Sequence, residues 1–164
     1  VDSVFTISES VERKHGSVYL LGGTDKEAQG TARVLQKKYP ELSIVILDDS
    51  TSPNLPISEK LMQLTKLKKL QAPTALFVAL GSPKQTIYIE QNRKTLEASD
   101  IRIAIGVGGA FAMISGTLPR APFFMRRHHL EWLWRLILEP KRIKRIWNAV
   151  VVFPRFIMMK TRVY

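Results

Sequence analysis

At 164 residues, 45% hydrophobic and with a mean hydropathy of −0.04, the chain has the size and composition of a single globular domain with a real core. It carries no cysteine, which excludes disulfides, thiol catalysis and cysteine-ligated zinc, and its three histidines, His15, His128 and His129, are badly spaced for a metal site. The net charge of +11 is unevenly placed: residues 119–164 hold eleven Lys and Arg against two acidic residues, a surplus of +9, while residues 1–118 carry only +2. A cationic segment of this kind attracts phosphates, nucleic acid or an anionic membrane face. The first residues include Asp2 and Glu9 and do not read as a secretion signal. Val1 stands where a methionine would start a chain, which leaves room for an upstream portion.

Val18 to Gly22 is a short apolar run ending in Gly22-Gly23, the pattern of a strand entering a turn. Thr24 followed by Glu27 forms a capping box that opens a helix to about Lys38, and Pro40 ends it. Ser43 to Leu47 reads as a second strand, and residues 48–56 as a polar loop. Leu61, Leu64, Leu67 and Leu70 recur at helical spacing between lysines, which predicts an amphipathic helix over 57–70. Thr74 to Leu80 is continuously apolar, as expected of a strand covered on both faces. Ser82 as N-cap, Pro83 at the first helical position and Gln85 two residues later then predict another helix. Ile101 to Val107 reads as a fourth strand, and Gly108-Gly109 starts a short helix to about Ser115. In the tail, 126–138 and 140–149 read as two helices broken at Pro140. No apolar run approaches the ~20 residues that a membrane-spanning helix needs.

Strands alternating with helices imply right-handed crossovers and a mainly parallel sheet. Residues 1–118 are therefore expected to form an α/β domain, followed by a basic helical appendage over 119–164. Glycine turns at Gly22-Gly23, Gly81-Ser82 and Gly106 to Gly109 each follow a strand and precede a helix. There, backbone amides and a helix N-terminus suit a phosphate-bearing ligand. One such glycine is ordinary turn punctuation; three at corresponding strand ends point to a shared cleft. The dinucleotide fingerprint is not met, because Phe111 occupies its third glycine position and Met125, Arg126 and Arg127 stand where an acidic ribose contact is expected. A Walker A loop is also absent, so a nicotinamide enzyme is disfavoured. Lys84 can seek phosphate and Gln85 can meet sugar hydroxyls. Equally, Gln85 can complete a capping box and Lys84 can point into solvent.

Gly22-Gly23, Ala79-Leu-Gly-Ser-Pro-Lys-Gln85, Ile105-Gly-Val-Gly-Gly-Ala-Phe111, Gly116, Arg120-Ala-Pro122 and Leu130-Glu-Trp-Leu-Trp-Arg-Leu136, continuing through Glu139-Pro140 to Arg142 and Arg145, form an ordered series. It resembles the WecG/TagA/CpsF glycosyltransferases (family 26) from about Asp2 to the C-terminus. The resemblance implies a modified Rossmann-like domain, independent of metals and cofactors, peripheral on the inner, cytoplasmic face of a bacterial plasma membrane. Its members transfer a hexose, often N-acetylmannosamine, from a UDP-sugar to an undecaprenyl-diphosphate-linked acceptor, by displacement with inversion. Their products feed wall teichoic acid, common antigen or exopolysaccharide synthesis. By resemblance, Gly22, Gly23, Gly81, Pro83, Lys84, Gln85, Gly106, Gly108, Gly109 and Phe111 line the sugar-nucleotide cleft, and Arg120, Arg135, Arg142 and Arg145 meet phosphates. The tail serves as lid and membrane contact. A homo-oligomer is left open.

The family's proposed catalytic base is an aspartate in a Pro-Asp-Gly segment that these 164 residues do not contain. Asp2 is the remnant of a later Gly-x-Asp motif, and Gln85 and Asp2 are the catalytic candidates within the chain. Ala112 stands where members usually carry aspartate, and Thr86 where they usually carry glutamate. The chain is thus expected to be either part of a transferase or a degenerate member. Arg127, Glu131, Arg135 and Glu139 are spaced for a solvated salt-bridge ladder, with Leu130, Leu133, Trp134, Ile137 and Leu138 opposite as a core-facing stripe. His128 and His129 are expected at a helix start. The rival reading is a non-catalytic basic module that binds membrane or nucleic acid. Against nucleic acid, the aromatic residues are not interleaved as stacking platforms and no reader motif is present.

Overall fold

The computed structural model describes residues 1–47, 74–99, 101–128 and 130–138. The expected loop at 48–56, the amphipathic helix at 57–70 and the helix at 140–149 lie outside the described residues. Contacts divide the chain into two compact units, residues 1–119 and a second unit that begins at Arg120.

The first unit is an α/β domain. Helix α1 (Asp2–Glu12), which the sequence reading did not assign, leads into strand β1 (Ser17–Gly22), helix α2 (Asp25–Lys38) and strand β2 (Ser43–Leu47). Strand β3 (Thr74–Ala79), helices α3 (Lys84–Gln91) and α4 (Arg93–Ala98), strand β4 (Ile101–Gly106) and helix α5 (Ala110–Ile114) follow. The strands form one sheet in the order β2-β1-β3-β4, and every pairing is parallel. Parallel pairing puts every strand's carboxyl end on the same edge. The chain leaves β1 toward β2 on one side and later enters β3 on the other. The strand order therefore reverses between β1 and β3, where open α/β sheets hold their ligands.

Alternation along the strands sorts the core into two layers. Val18, Leu20, Ala75 and Phe77 face one side and pack with Val4 and Val11 of α1, Leu35 of α2, and Phe111 and Ile114 of α5. Tyr19, Leu21, Leu76 and Val78 face the other and pack with Leu96 of α4, with Tyr88 and Ile89 of α3 against them. Phe77, Leu76, Leu20 and Val18 are completely buried. That explains why β1 and β3 read as unbroken apolar runs: both of their faces are covered.

Helix α2 starts on the expected capping box. The Glu27 amide donates to Thr24 Oγ1 at 3.4 Å, and the Thr24 amide donates to Glu27 Oε2 at 2.8 Å. Its buried face is Ala28, Thr31 and Leu35. It ends with Lys37 and Lys38 in the last turn, which suits the negative end of the helix dipole. Gly30 lets α2 approach α5 closely, since a Cβ there would lie 2.6 Å from Ser115 Cβ.

Four related expectations fail, wholly or in part, in the second unit. In place of one helix from Arg126 there are two, α6 (Phe123–Arg127) and α7 (Glu131–Leu138). The chain turns between them as the Leu130 amide reaches back to the Met125 carbonyl at 2.8 Å. His128 is consequently the C-cap of α6, with its ring 4.9 Å from that of Phe124, and does not sit at a helix start. The break also removes Arg127 from an uninterrupted i, i+4 ladder. Ile137 is 60% exposed, so the apolar stripe of α7 is not wholly buried.

A candidate ligand cleft at the strand carboxyl ends

All three glycine turns emerge on the same edge, and two of them are fastened by main-chain bonds to β3. At the end of β1, Gly22 and Gly23 adopt φ of +84° and +76°, where an L side chain is strained. The Gly23 amide donates to the Ala79 carbonyl at 3.2 Å, tying the β1 turn to β3. At the end of β4, the Val107 amide donates to the Val78 carbonyl at 2.9 Å, tying the β4 turn to β3 from the other side.

The β3 turn does not have the expected cap. Helix α3 begins at Lys84 with Pro83 as its N-cap and no side-chain capping bond, so Ser82 is not the cap and Pro83 is not the first helical residue. The first turn closes through main chain instead, with the Gln85 amide donating to the Gly81 carbonyl at 2.9 Å. The Ser82–Pro83 peptide bond is cis. Ser82, Pro83 and Lys84 are all exposed.

Gln85 is thereby released for another task. Its Oε1 accepts from the Gly108 amide at 2.9 Å, joining the β3 and β4 turns through a side chain. Gly106 makes room for it: a Cβ on Gly106 would lie 2.6 Å from Gln85 Nε2 and 2.8 Å from its Cγ. The capping-box reading of Gln85 is thus overturned, because its carboxamide is held by a loop 23 residues away in sequence. Spacing could not show this, since Gln85 at the third helical position satisfies the local pattern equally well.

Phe111 also has a different role from the one expected. It is 1% exposed, its Cδ2 would be 3.2 Å from a Cβ on Gly23, and its carbonyl accepts from Thr31 Oγ1 at 3.2 Å. Phe111 is a floor beneath the β1 turn and offers no surface to a ligand. Around that turn, Gly22, Gly23, Asp25, Gln29, Leu47 and Leu80 help to line a cleft of about 420 Å³.

The structure therefore gathers Gly22, Gly23, Gly81, Pro83, Lys84, Gln85, Gly106, Gly108 and Gly109 on one edge of the sheet. Asp2 lies exposed in the first turn of α1. That helix is tethered through the Phe5 carbonyl to the Tyr39 hydroxyl, at 3.0 Å, and Tyr39 closes α2 at the end opposite Gly23. Arg120 is half-buried in the second unit. The Arg135 side chain, Arg142 and Arg145 lie outside what the structure describes. Among the described residues no group of three His, Asp or Glu side chains converges as a metal site requires.

Against this geometry, the chain matches the glycosyl transferase WecG/TagA/CpsF family over residues 1–163. It belongs to that family. A curated relative from Staphylococcus aureus (strain NCTC 8325 / PS 47), named N-acetylglucosaminyldiphosphoundecaprenol N-acetyl-beta-D-mannosaminyltransferase, is 30% identical over 145 residues. The match covers 85% of this chain and 51% of that relative. A relative of the same name from strain MRSA252 is 29% identical over the same proportions. The chain thus spans about half the length of the curated relatives it matches. Within this WecG/TagA/CpsF domain, the glycine turns and Gln85 lie at the carboxyl edge of the sheet.

The sequence reading passed over one surface feature. Phe123 and Phe124 are 70% and 65% exposed, the Arg126 guanidinium lies 5.7 Å from the Phe123 ring centre, and Arg127 follows. The signal was present as Phe-Phe-Met-Arg-Arg over 123–127. No described helix is long and apolar enough to cross a membrane.

Proposed function

We propose that this chain is the sugar-nucleotide-binding part of a membrane-peripheral glycosyltransferase. It moves a hexose, N-acetylmannosamine by analogy with the relatives' names, from a UDP-sugar to an undecaprenyl-diphosphate-linked sugar. The observation that carries the reading is the Gln85–Gly108 bond, which binds two glycine turns into one wall at the strand carboxyl ends. A helix start without a side-chain cap suits a pyrophosphate in that position, and Lys84 stands exposed at the same turn.

In the reaction, the acceptor hydroxyl oxygen bonds to the anomeric carbon as the bond from that carbon to the UDP oxygen breaks. UDP leaves with the electron pair, and the hydroxyl proton passes to a base. The resemblance assigns that base to a Pro-Asp-Gly segment that these residues do not include. Gln85, fixed by Gly108, positions the donor and does not accept the proton, because a carboxamide is not a base at neutral pH. Arg120, Arg135, Arg142 and Arg145 are assigned to the leaving diphosphate and the lipid diphosphate. Exposed Phe123 and Phe124 beside Arg126 and Arg127 suit the inner membrane face, since aromatic rings enter the interface while cations meet anionic headgroups.

UDP is expected to raise the melting temperature of the isolated chain, by an amount equivalent to about 2.7 kcal/mol at a hundred times Kd. Lys84→Ala and Gln85→Leu are expected to weaken the effect. No UDP-dependent shift overturns the proposal, and tighter, salt-sensitive binding of random DNA replaces it with the basic-module reading.

A further inference from the structure

The cleft of about 420 Å³ beside Gly22 and Gly23 has a chemical character unlike the rest of the edge. Its volume is that of a small-molecule site, for which about 300–1,000 Å³ is usual. Leu21, Leu47 and Leu80 make its apolar walls, and Asp25 and Gln29 stand on the α2 side. Those two residues are four apart, so they project from one face of the helix. Among the described residues, no lysine or arginine lines the cleft.

A helix N-terminus ordinarily welcomes an anion, but this one has its own. Asp25 and Glu27 occupy the first turn of α2, and the Thr24–Glu27 capping box engages the amides of both its members. The Gly23 amide is engaged by Ala79. A phosphate entering here would meet the Asp25 carboxylate, with no cation among the described lining residues to offset it. A ring with hydroxyl groups would find the opposite: carboxylate and carboxamide acceptors for its hydroxyls, and leucine side chains for its C–H face.

We infer that this cleft holds an uncharged, hydroxyl-bearing ring of the donor, read by Asp25 and Gln29, and that the phosphates lie on the Lys84–Gly109 side. The inference rests on the sugar-nucleotide reading, and the two rings of such a donor that meet the description are the hexose and the ribose.

The test is an amide chemical-shift titration of the isotope-labelled chain with N-acetylmannosamine, uridine and inorganic pyrophosphate in separate arms. One of the two ring ligands is expected to move the amides of Thr24 to Gln29, and which one does so identifies the ring. Pyrophosphate is expected to leave those amides in place. Asp25→Ala combined with Gln29→Ala is expected to weaken ring binding at least tenfold with only a small fall in melting temperature, since both side chains are exposed and Asp25 also favours the start of α2. Asp25→Lys is expected to abolish ring binding without tightening UDP. The inference is overturned if neither ring moves these amides, if pyrophosphate does, or if Asp25→Lys tightens UDP severalfold. Its failure is distinguishable from failure of the sugar-nucleotide reading. UDP stabilisation that depends on Gln85 but not on Asp25 sinks only the ring assignment, whereas ring binding without any UDP shift sinks only the sugar-nucleotide reading.

Discussion

The β1 turn and the paired β3 and β4 turns share a sequence signature, glycine between strand and helix, yet they are built for different work. At β1, the amide of Gly23 is taken by Ala79, a capping box closes the start of α2, and Asp25 adds negative charge. At β3 and β4, helix α3 begins without a side-chain cap, Lys84 is exposed, and Gln85 reaches across to Gly108. Glycine therefore marks where the main chain turns tightly. The residues just after it decide the charge that the turn presents.

The largest effect should come from the residue beneath the β1 turn. Phe111→Ala removes a fully buried ring and is expected to cost about 3–5 kcal/mol in urea denaturation. A loss below about 1 kcal/mol would show that Phe111 does not support Gly23. Next in size is the wall between β3 and β4. Gly106→Ala overpacks Gln85 and is expected to cost about 1–3 kcal/mol. Adding Gln85→Ala should recover part of that, with a coupling of about 0.5–3 kcal/mol. Additive effects would mean that Gly106 and Gln85 are independent.

Thr24→Ala should cost about 1 kcal/mol by removing the cap of α2. It should leave the Lys84 and Gln85 dependence of UDP stabilisation intact, and loss of that dependence would merge the two regions into one. The smallest effect is on alkaline stability. Burial pushes the Tyr19 phenol above its ordinary value of about 10. The stability that comes from keeping it neutral is fully present below pH 10 and is lost as pH rises through the raised folded value. Tyr19→Phe should remove that component in denaturation compared at pH 8 and above pH 10, and an unchanged alkaline loss would assign it to other groups.

Local pattern was enough for most of the scaffold. The apolar runs of β1 and β3, the capping box of α2 and the glycine-bounded end of β4 are each encoded within a few consecutive residues. Reading failed where a distant partner competes with a local one. Gln85 has the spacing of a capping residue but bonds to Gly108, and Phe111 follows a glycine turn as a ligand contact would but fills the core. In the tail, uninterrupted helical periodicity concealed the turn between α6 and α7, because periodicity measures where apolar side chains recur and not whether the main chain continues. Helix α1 went unassigned because Ser3, Thr6, Ser8 and Ser10 give it a polar look. Its apolar Val4 and Val11 are buried against the sheet all the same.

The sequence by itself determined the α/β class, the place of each glycine turn after a strand, the charge imbalance between residues 1–118 and 119–164 and the ordered motifs of the family. These depend on periodicity, composition and neighbours in the chain. Only the tertiary structure decided that Gln85 joins two turns, that Phe111 is a floor, and that the β1 cleft is bordered by the acid and amide of Asp25 and Gln29. Those properties belong to groups brought together by the parallel sheet from up to 80 residues apart in the chain, as with Thr31 and Phe111. No local pattern records such a distance.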